Sequence, residues 1–436
     1  MQMAVDHIIS GMTQLRARCV QSVPSFFGPW VVRATFVMAM FGWGVGFYGP
    51  SIFLQTVVER TGWSLTLVST AVTVHYLFGA IVVTRLPFLH RRFGVGPTAV
   101  VGALTTAVGV LGWAAASEPW QLFGAAFISG AGWVTMGAVA VNAAIAPWYE
   151  RDRPLALAKA YNGASIGGVV FMPLWVLLIA QWGFSNAAAV VGVVMISVMV
   201  GLERGVFVKT PACLGQRADG DAPGSDLASA SWSTQTALPG RLLWRDRRFV
   251  TLALGMAAGL FAQIGMLAHL FLLLVPALGT HAAGLAMGFA TLCAMGGRFV
   301  VAGALRSDGQ RRTVAALSYG VQLIGSMLLL LAGVQQIAWI LLGIALYGSG
   351  IGNATSLPPL IAQAEFASKD VPRVVALIVA MGQATYAFAP AVFGLLLSAS
   401  TVQIPQIGSG TSLFFAAVVV VQGFAIACFL AGRRRG

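Results

Sequence analysis

Residues 281–312 read HAAGLAMGFATLCAMGGRFVVAGALRSDGQRR. From Ala282 to Gly297 the only ionisable group is Cys293, and the run has the ~20-residue length of a helix that crosses a bilayer. Eight residues before the charged cluster that begins at Arg306 stands Arg298, a permanent cation inside a stretch otherwise fit for lipid. The stretch is a membrane span with a charge in it, and the rest of the chain has to explain that charge.

Composition agrees with the first half of that reading. Of 436 residues, 58% are hydrophobic and 9% charged, where soluble domains carry about 25% charged residues. Mean hydropathy is +0.84. Apolar runs recur at 34–58, 64–89, 95–116, 119–146, 154–181, 183–202, 249–276, 282–305, 313–334, 336–364, 373–399 and 411–431, so the chain is expected to be all-α and polytopic with twelve spans. With the N-terminus placed in the cytoplasm, only Arg60 of the 26 Lys and Arg falls outside and only Arg298 lies deep in a span. That is the positive-inside pattern. The net charge of +13 is thereby a topology signal, and nucleic acid is not expected as a partner. The four cysteines show no disulfide or metal spacing, and no cofactor or metal is expected.

Residues 203–248, rich in Ala, Gly, Ser and Asp, read as a cytoplasmic linker between a six-span half, 34–202, and a second, 249–431. Cytoplasmic tails of 1–33 and 432–436 complete the organisation. The halves are related. HRRFG after span 2 has its counterpart in GQRRT after span 8, mapping Arg91 and Arg92 onto Arg311 and Arg312 at an offset of 220, which also maps Arg153 onto Arg373. Gly163 and Gly382 correspond to within one residue. Parallel repeats of this kind are a transporter arrangement, with the substrate held between the halves.

Three stretches are similar to the major facilitator superfamily, and within it to the monocarboxylate-porter and oxalate:formate-exchanger branch. GRFVVAGALRSDGQRR resembles that branch's eighth span, WYERDRPLALAKAYNGASIGG (148–168) its entry to the fifth, and FGWGVGFYGPS (41–51) its glycine-rich first. The resemblance implies twelve helices, alternating access and a substrate-binding arginine at Arg298. It also implies gating charges in the loops, here Arg91, Arg92, Arg153, Asp308, Arg311 and Arg312. Departures are plain. The loop after span 2 lacks the family's aspartate, Arg306 stands where the second acid falls, the eleventh-span lysine is absent, and Ala294 replaces the acid one turn before the arginine.

All thirteen acids lie in loops or at span ends, so no carboxylate is available as a mid-membrane relay and anion exchange fits better than proton symport. Arg298 then has two readings. A substrate carboxylate supplies its counter-ion, or it snorkels or pairs with a loop acid such as Asp370. His75 and Tyr76 near the middle of span 2, and Gln383 and Tyr386 on one face of span 11, either line the pocket or join helices. Gly42, Gly44, Gly46, Gly163, Gly167 and Gly168 lie in spans, where small residues allow close helix packing; Pro50 allows span 1 to bend. One deep cation favours a monoanion. The expectation is a monomeric inner-membrane carrier of a small monocarboxylate, with an efflux carrier in which Arg298 is structural as the alternative. An enzyme or a receptor finds no clustered residues in support.

Overall fold

The computed structural model describes residues 25–220, 240–304, 311–332, 336–367, 370–398 and 409–433, and every regular element among them is helical. Asp308, one of the expected gating charges, lies outside the described residues. Eleven helical runs are long and apolar enough to cross a membrane. One of them is two spans. Within Arg153–Leu202, Gly183 has φ 76° and ψ 162°, which no helix admits. The joint between Arg247–Leu278 and Thr280–Ala304 repeats that geometry, with Gly279 at φ 75° and ψ 163°. Glycine serves at both because it alone takes positive φ at little cost. The result is twelve spans, six in each half.

Two expected boundaries move, each for a local reason. Span 1 starts at Gly28, six residues early, because Pro29 in the first turn has no N–H to lose there. Span 2 ends at Val83, and Leu86–Phe93 is a separate short helix. Pro87 cannot donate to the carbonyl of Val83, so the span stops and a new helix begins.

Four spans are interrupted near their middles. Span 1 passes from Gly28–Phe41 through a π-helical turn, Gly42–Phe47, into Gly49–Thr61. Span 4 breaks at Val134–Met136 between Pro119–Trp133 and Ala138–Ile145. Span 10 breaks at Gly352 between Ile337–Ile351 and Asn353–Glu365. At the offset of 220, Gly352 falls on Gly132, just before the span 4 turn, so this break is part of the repeat. Span 11 breaks at Phe388, between Val371–Ala387 and Ala389–Ser398.

The glycines permit close helix contact. A Cβ on Gly163 would lie 2.0 Å from the Phe36 carbonyl oxygen, and one on Gly167 2.4 Å from that of Met40, so span 5 rests backbone to backbone on span 1. Gly42 meets the Met136 carbonyl, while Gly44 and Gly46 make room for the side chains of Phe171 and Trp133. In lipid such packing, and not hydrophobic burial, holds helices together. Gly168 abuts Thr291 of span 8 and so belongs to the contact between the halves. That contact continues toward the face opposite the termini. There Thr66 bonds Ser398 (3.0 Å), Ser69 bonds Nε2 of His269 (3.0 Å), and the Ala391 amide donates to Thr73 (3.0 Å).

The face bearing the termini carries the arginines. Arg312, 4% exposed, donates from Nε and Nη2 to both carboxylate oxygens of Glu365 (2.6 and 2.8 Å), and also to Thr251 and the Arg248 carbonyl. Arg311 donates to the Leu360 carbonyl at 2.7 Å. These bonds tie spans 7, 9 and 10 of one half to each other. Their counterparts Arg91 and Arg92 are exposed, and Arg92 lies over the adjacent Phe93 ring. The reason is legible in the repeat, because Glu365 maps onto Ile145, which offers no carboxylate. Arg153 opens the helix of span 5.

The start of the expected linker is also fixed in place. Gln216 accepts from the Phe27 amide (2.9 Å) and donates to the Ser25 carbonyl (3.0 Å). Asp219, the one non-glycine residue at positive φ among the described residues, accepts from the amides of Glu150, Arg151 and Asp152. Partial burial raises its carboxyl pKa, but those three amides and the Arg151 charge outweigh it and hold the group below its ordinary value. Polar side chains able to reach exposed backbone amides explain why a segment of linker composition docks here.

Candidate functional site

The interrupted spans bring their freed carbonyls to the middle of the molecule. Pro50 has no N–H to give the Gly46 carbonyl, and the Ser51 amide goes instead to the Tyr48 carbonyl (3.3 Å), which leaves that of Phe47 open as well. Leaving a carbonyl unpaired in a bilayer costs several kcal/mol. Span 2 meets both. Nε2 of His75 bonds the Gly46 oxygen at 2.8 Å, and the Tyr76 hydroxyl donates to the Phe47 oxygen at 2.7 Å. Nδ1 of His75 bonds Ser129 of span 4 at 2.8 Å, and the ring stacks on Trp133. Both ring nitrogens are engaged and the residue is 2% exposed, so His75 supports the span 1 break.

Arg298 is placed by three helices. Gly297 lets span 8 approach the backbone of span 10, where a Cβ would fall 1.9 Å from the Ser349 oxygen. Gly352 leaves room for the arginine stem, since a Cβ there would lie 2.3 Å from Nε. The guanidinium then donates from Nε to the Gly352 carbonyl at the span 10 break (3.3 Å) and from Nη1 to Ser165 Oγ of span 5 (2.9 Å). Ser165 belongs to the other half, so the cation bridges the two. Tyr48, next to the span 1 break, is close enough to interact electrostatically with it.

The aromatic groups of the centre join the halves too. Tyr76 and Tyr386 meet edge to face at 6.0 Å, and Gln383 is within hydrogen-bonding reach of the Tyr386 hydroxyl. Of the residues singled out in the sequence, Tyr76, Gln383 and Tyr386 are thus brought together with His75 beside Tyr76, and Arg298 makes its own contact between the halves. Ser165, Gly352 and Tyr48 were not singled out. Ser165 was readable as the one hydroxyl in the small-residue run NGASIGG, off the face that Gly163 and Gly167 press on span 1. Among the described residues no three His, Cys, Asp or Glu are grouped to hold a metal.

Two interrupted six-helix halves meeting around a cation buried within a span define a membrane carrier. The sequence model of the Major Facilitator Superfamily matches residues 34–390, and the chain belongs to that family. No curated protein sequence matches it. Among solved structures, it is similar to the nucleoside transporter NupG, with a TM-score of 0.66 at 12% identity over 94% of this chain and 98% of that one. It is also similar to a bacterial homologue of the human lysosomal transporter Spinster in an inward-facing, unoccupied conformation, with a TM-score of 0.62 at 13% identity over 93% and 97% of the two chains. At these identities the likeness is one of fold.

Proposed function

We propose that this transporter carries a small organic monoanion, a monocarboxylate, bound at Arg298 between the halves. The observation that supports this is the bonding of the guanidinium. Among the described residues it bonds a hydroxyl and a carbonyl, both neutral, which satisfy hydrogens without balancing the charge. A carboxylate taken on the Nη1–Nη2 fork supplies the missing charge with two parallel hydrogen bonds. A buried charge within a spanning helix is costly, by up to about 2.5–3.5 kcal/mol at the helix centre, and a bound carboxylate would offset that cost. Tyr76, Gln383 and Tyr386 close the opposite wall, contributed by both halves.

In this reading the arginine-rich face is cytoplasmic, the membrane is the inner membrane, and the monomer is the working unit. The halves, 34–202 and 249–431, rock about the bound anion. The bonds between Thr66 and Ser398 and between Ser69 and His269 then close the outer side, leaving the site open to the cytoplasm. Exchange of one monoanion for another needs no embedded acid and fits the sequence.

The test is the melting temperature of the purified protein against small mono- and dicarboxylates, for wild type and Arg298→Gln. A ligand of the folded state stabilises by mass action, by about 2.7 kcal/mol at one hundred times its Kd. A monocarboxylate should raise the wild-type transition and leave that of the variant unmoved. Equal responses in the two proteins would make Arg298 structural and turn the search to the efflux reading.

A further inference from the structure

Resting on the monoanion reading, we infer that the preferred substrate is an aromatic monocarboxylate, its ring seated against Trp43 and Tyr161. Tyr161 lies four residues before Ser165 on span 5, hence on the same face and about 6 Å nearer the termini-bearing side. Ser165 is the residue that Arg298 touches. In the inferred pose a carboxylate on the guanidinium carries its substituent toward Tyr161, and about 6 Å of helix rise is close to the length of benzoate or phenylacetate.

The groups waiting there are aromatic and already ordered. Trp43 and Tyr161 meet edge to face, with centroids 6.2 Å apart and planes at 89°. Both are half-buried. The Tyr161 hydroxyl accepts from Asn142 Nδ2 (2.7 Å) and donates to the Ala138 carbonyl (3.2 Å), which fixes the ring plane through span 4. A third ring adds to such a pair with little loss of side-chain freedom, and an aromatic contact contributes about 0.5–1.5 kcal/mol beyond its buried area. A short aliphatic acid would reach the arginine and leave this wall wet.

The experiment compares acetate, cyclohexanecarboxylate, benzoate, phenylacetate and uncharged phenylacetamide by melting-temperature titration of the full-length protein. The proteins are wild type, Trp43→Leu, Trp43→Phe and Arg298→Gln. Expected is half-saturation by benzoate or phenylacetate at a concentration roughly ten-fold below that of acetate and several-fold below that of cyclohexanecarboxylate, in keeping with the size of an aromatic contact. Trp43→Leu should lose the preference while keeping the acetate response, and Trp43→Phe should retain most of it, which separates a lost contact from a misfolded protein. Aryl acids no tighter than acetate, or cyclohexanecarboxylate equal to benzoate, would overturn the aromatic assignment and leave the anion reading standing. A response to phenylacetamide equal to that to phenylacetate, or one unchanged in Arg298→Gln, would overturn the anion reading and this one with it, as would no response to any acid.

Discussion

Arg298 was conspicuous in the sequence because nothing near it could neutralise it, and the structure answers that solitude with a serine from the other half and a carbonyl at a helix break. His75 and Tyr76 were conspicuous for the ordinary reason that polar residues stand out in apolar spans. Their partners were illegible, because a carbonyl freed by a proline has no letter of its own. Gly46 and Phe47 receive these side chains only once Pro50 has removed one donor and Ser51 has turned its amide elsewhere. Replacing Tyr76 by Phe removes the hydroxyl and leaves the Phe47 carbonyl unpaired in a buried setting, which costs about 1–3 kcal/mol. The variant should be less stable than wild type by that amount and melt correspondingly lower.

At the scale of the element, helix existence was readable and helix interruption was not. Apolar length announced each span, and Pro29 and Pro87 account for the boundaries that moved. The docked start of the linker was hidden by its composition, since Gln216 and Asp219 look like any polar loop until the amides they meet are placed. The charge of Asp219 can be tested by pH. Its folded pKa lies below the ordinary carboxylate value, so its contribution is whole above that value and is lost as the pH falls through the lower, folded one. Trypsin should therefore spare Lys209 and Arg217 at neutral pH and cut there readily in Asp219→Asn, a change that keeps a residue tolerant of positive φ. Equal cleavage of the two proteins at neutral pH would show that the carboxylate does not hold the segment.

Across the whole molecule, the repeat at offset 220 pointed to both halves and the paired arginines, and the structure adds a break shared by spans 4 and 10. The repeat could not say that the copies had diverged in how they are fastened. The second half is closed on its basic face by the buried pair of Arg312 and Glu365, while Arg92 is exposed and Ile145 stands where its acid would be. Removing one member of a buried ion pair costs roughly 3–5 kcal/mol. Glu365→Gln should lower the melting temperature by an amount of that order, whereas Arg92→Gln, on the surface, should change stability by no more than about 0.5 kcal/mol. The support of span 1 by span 2 has a consequence of another kind, for the history of the sequence. Proline at 50, histidine at 75 and tyrosine at 76 form a mutual dependence in which each is useful only while the others persist. A lineage that restored an amide at 50 would release the other two from selection, so across relatives these three positions should be lost as a set.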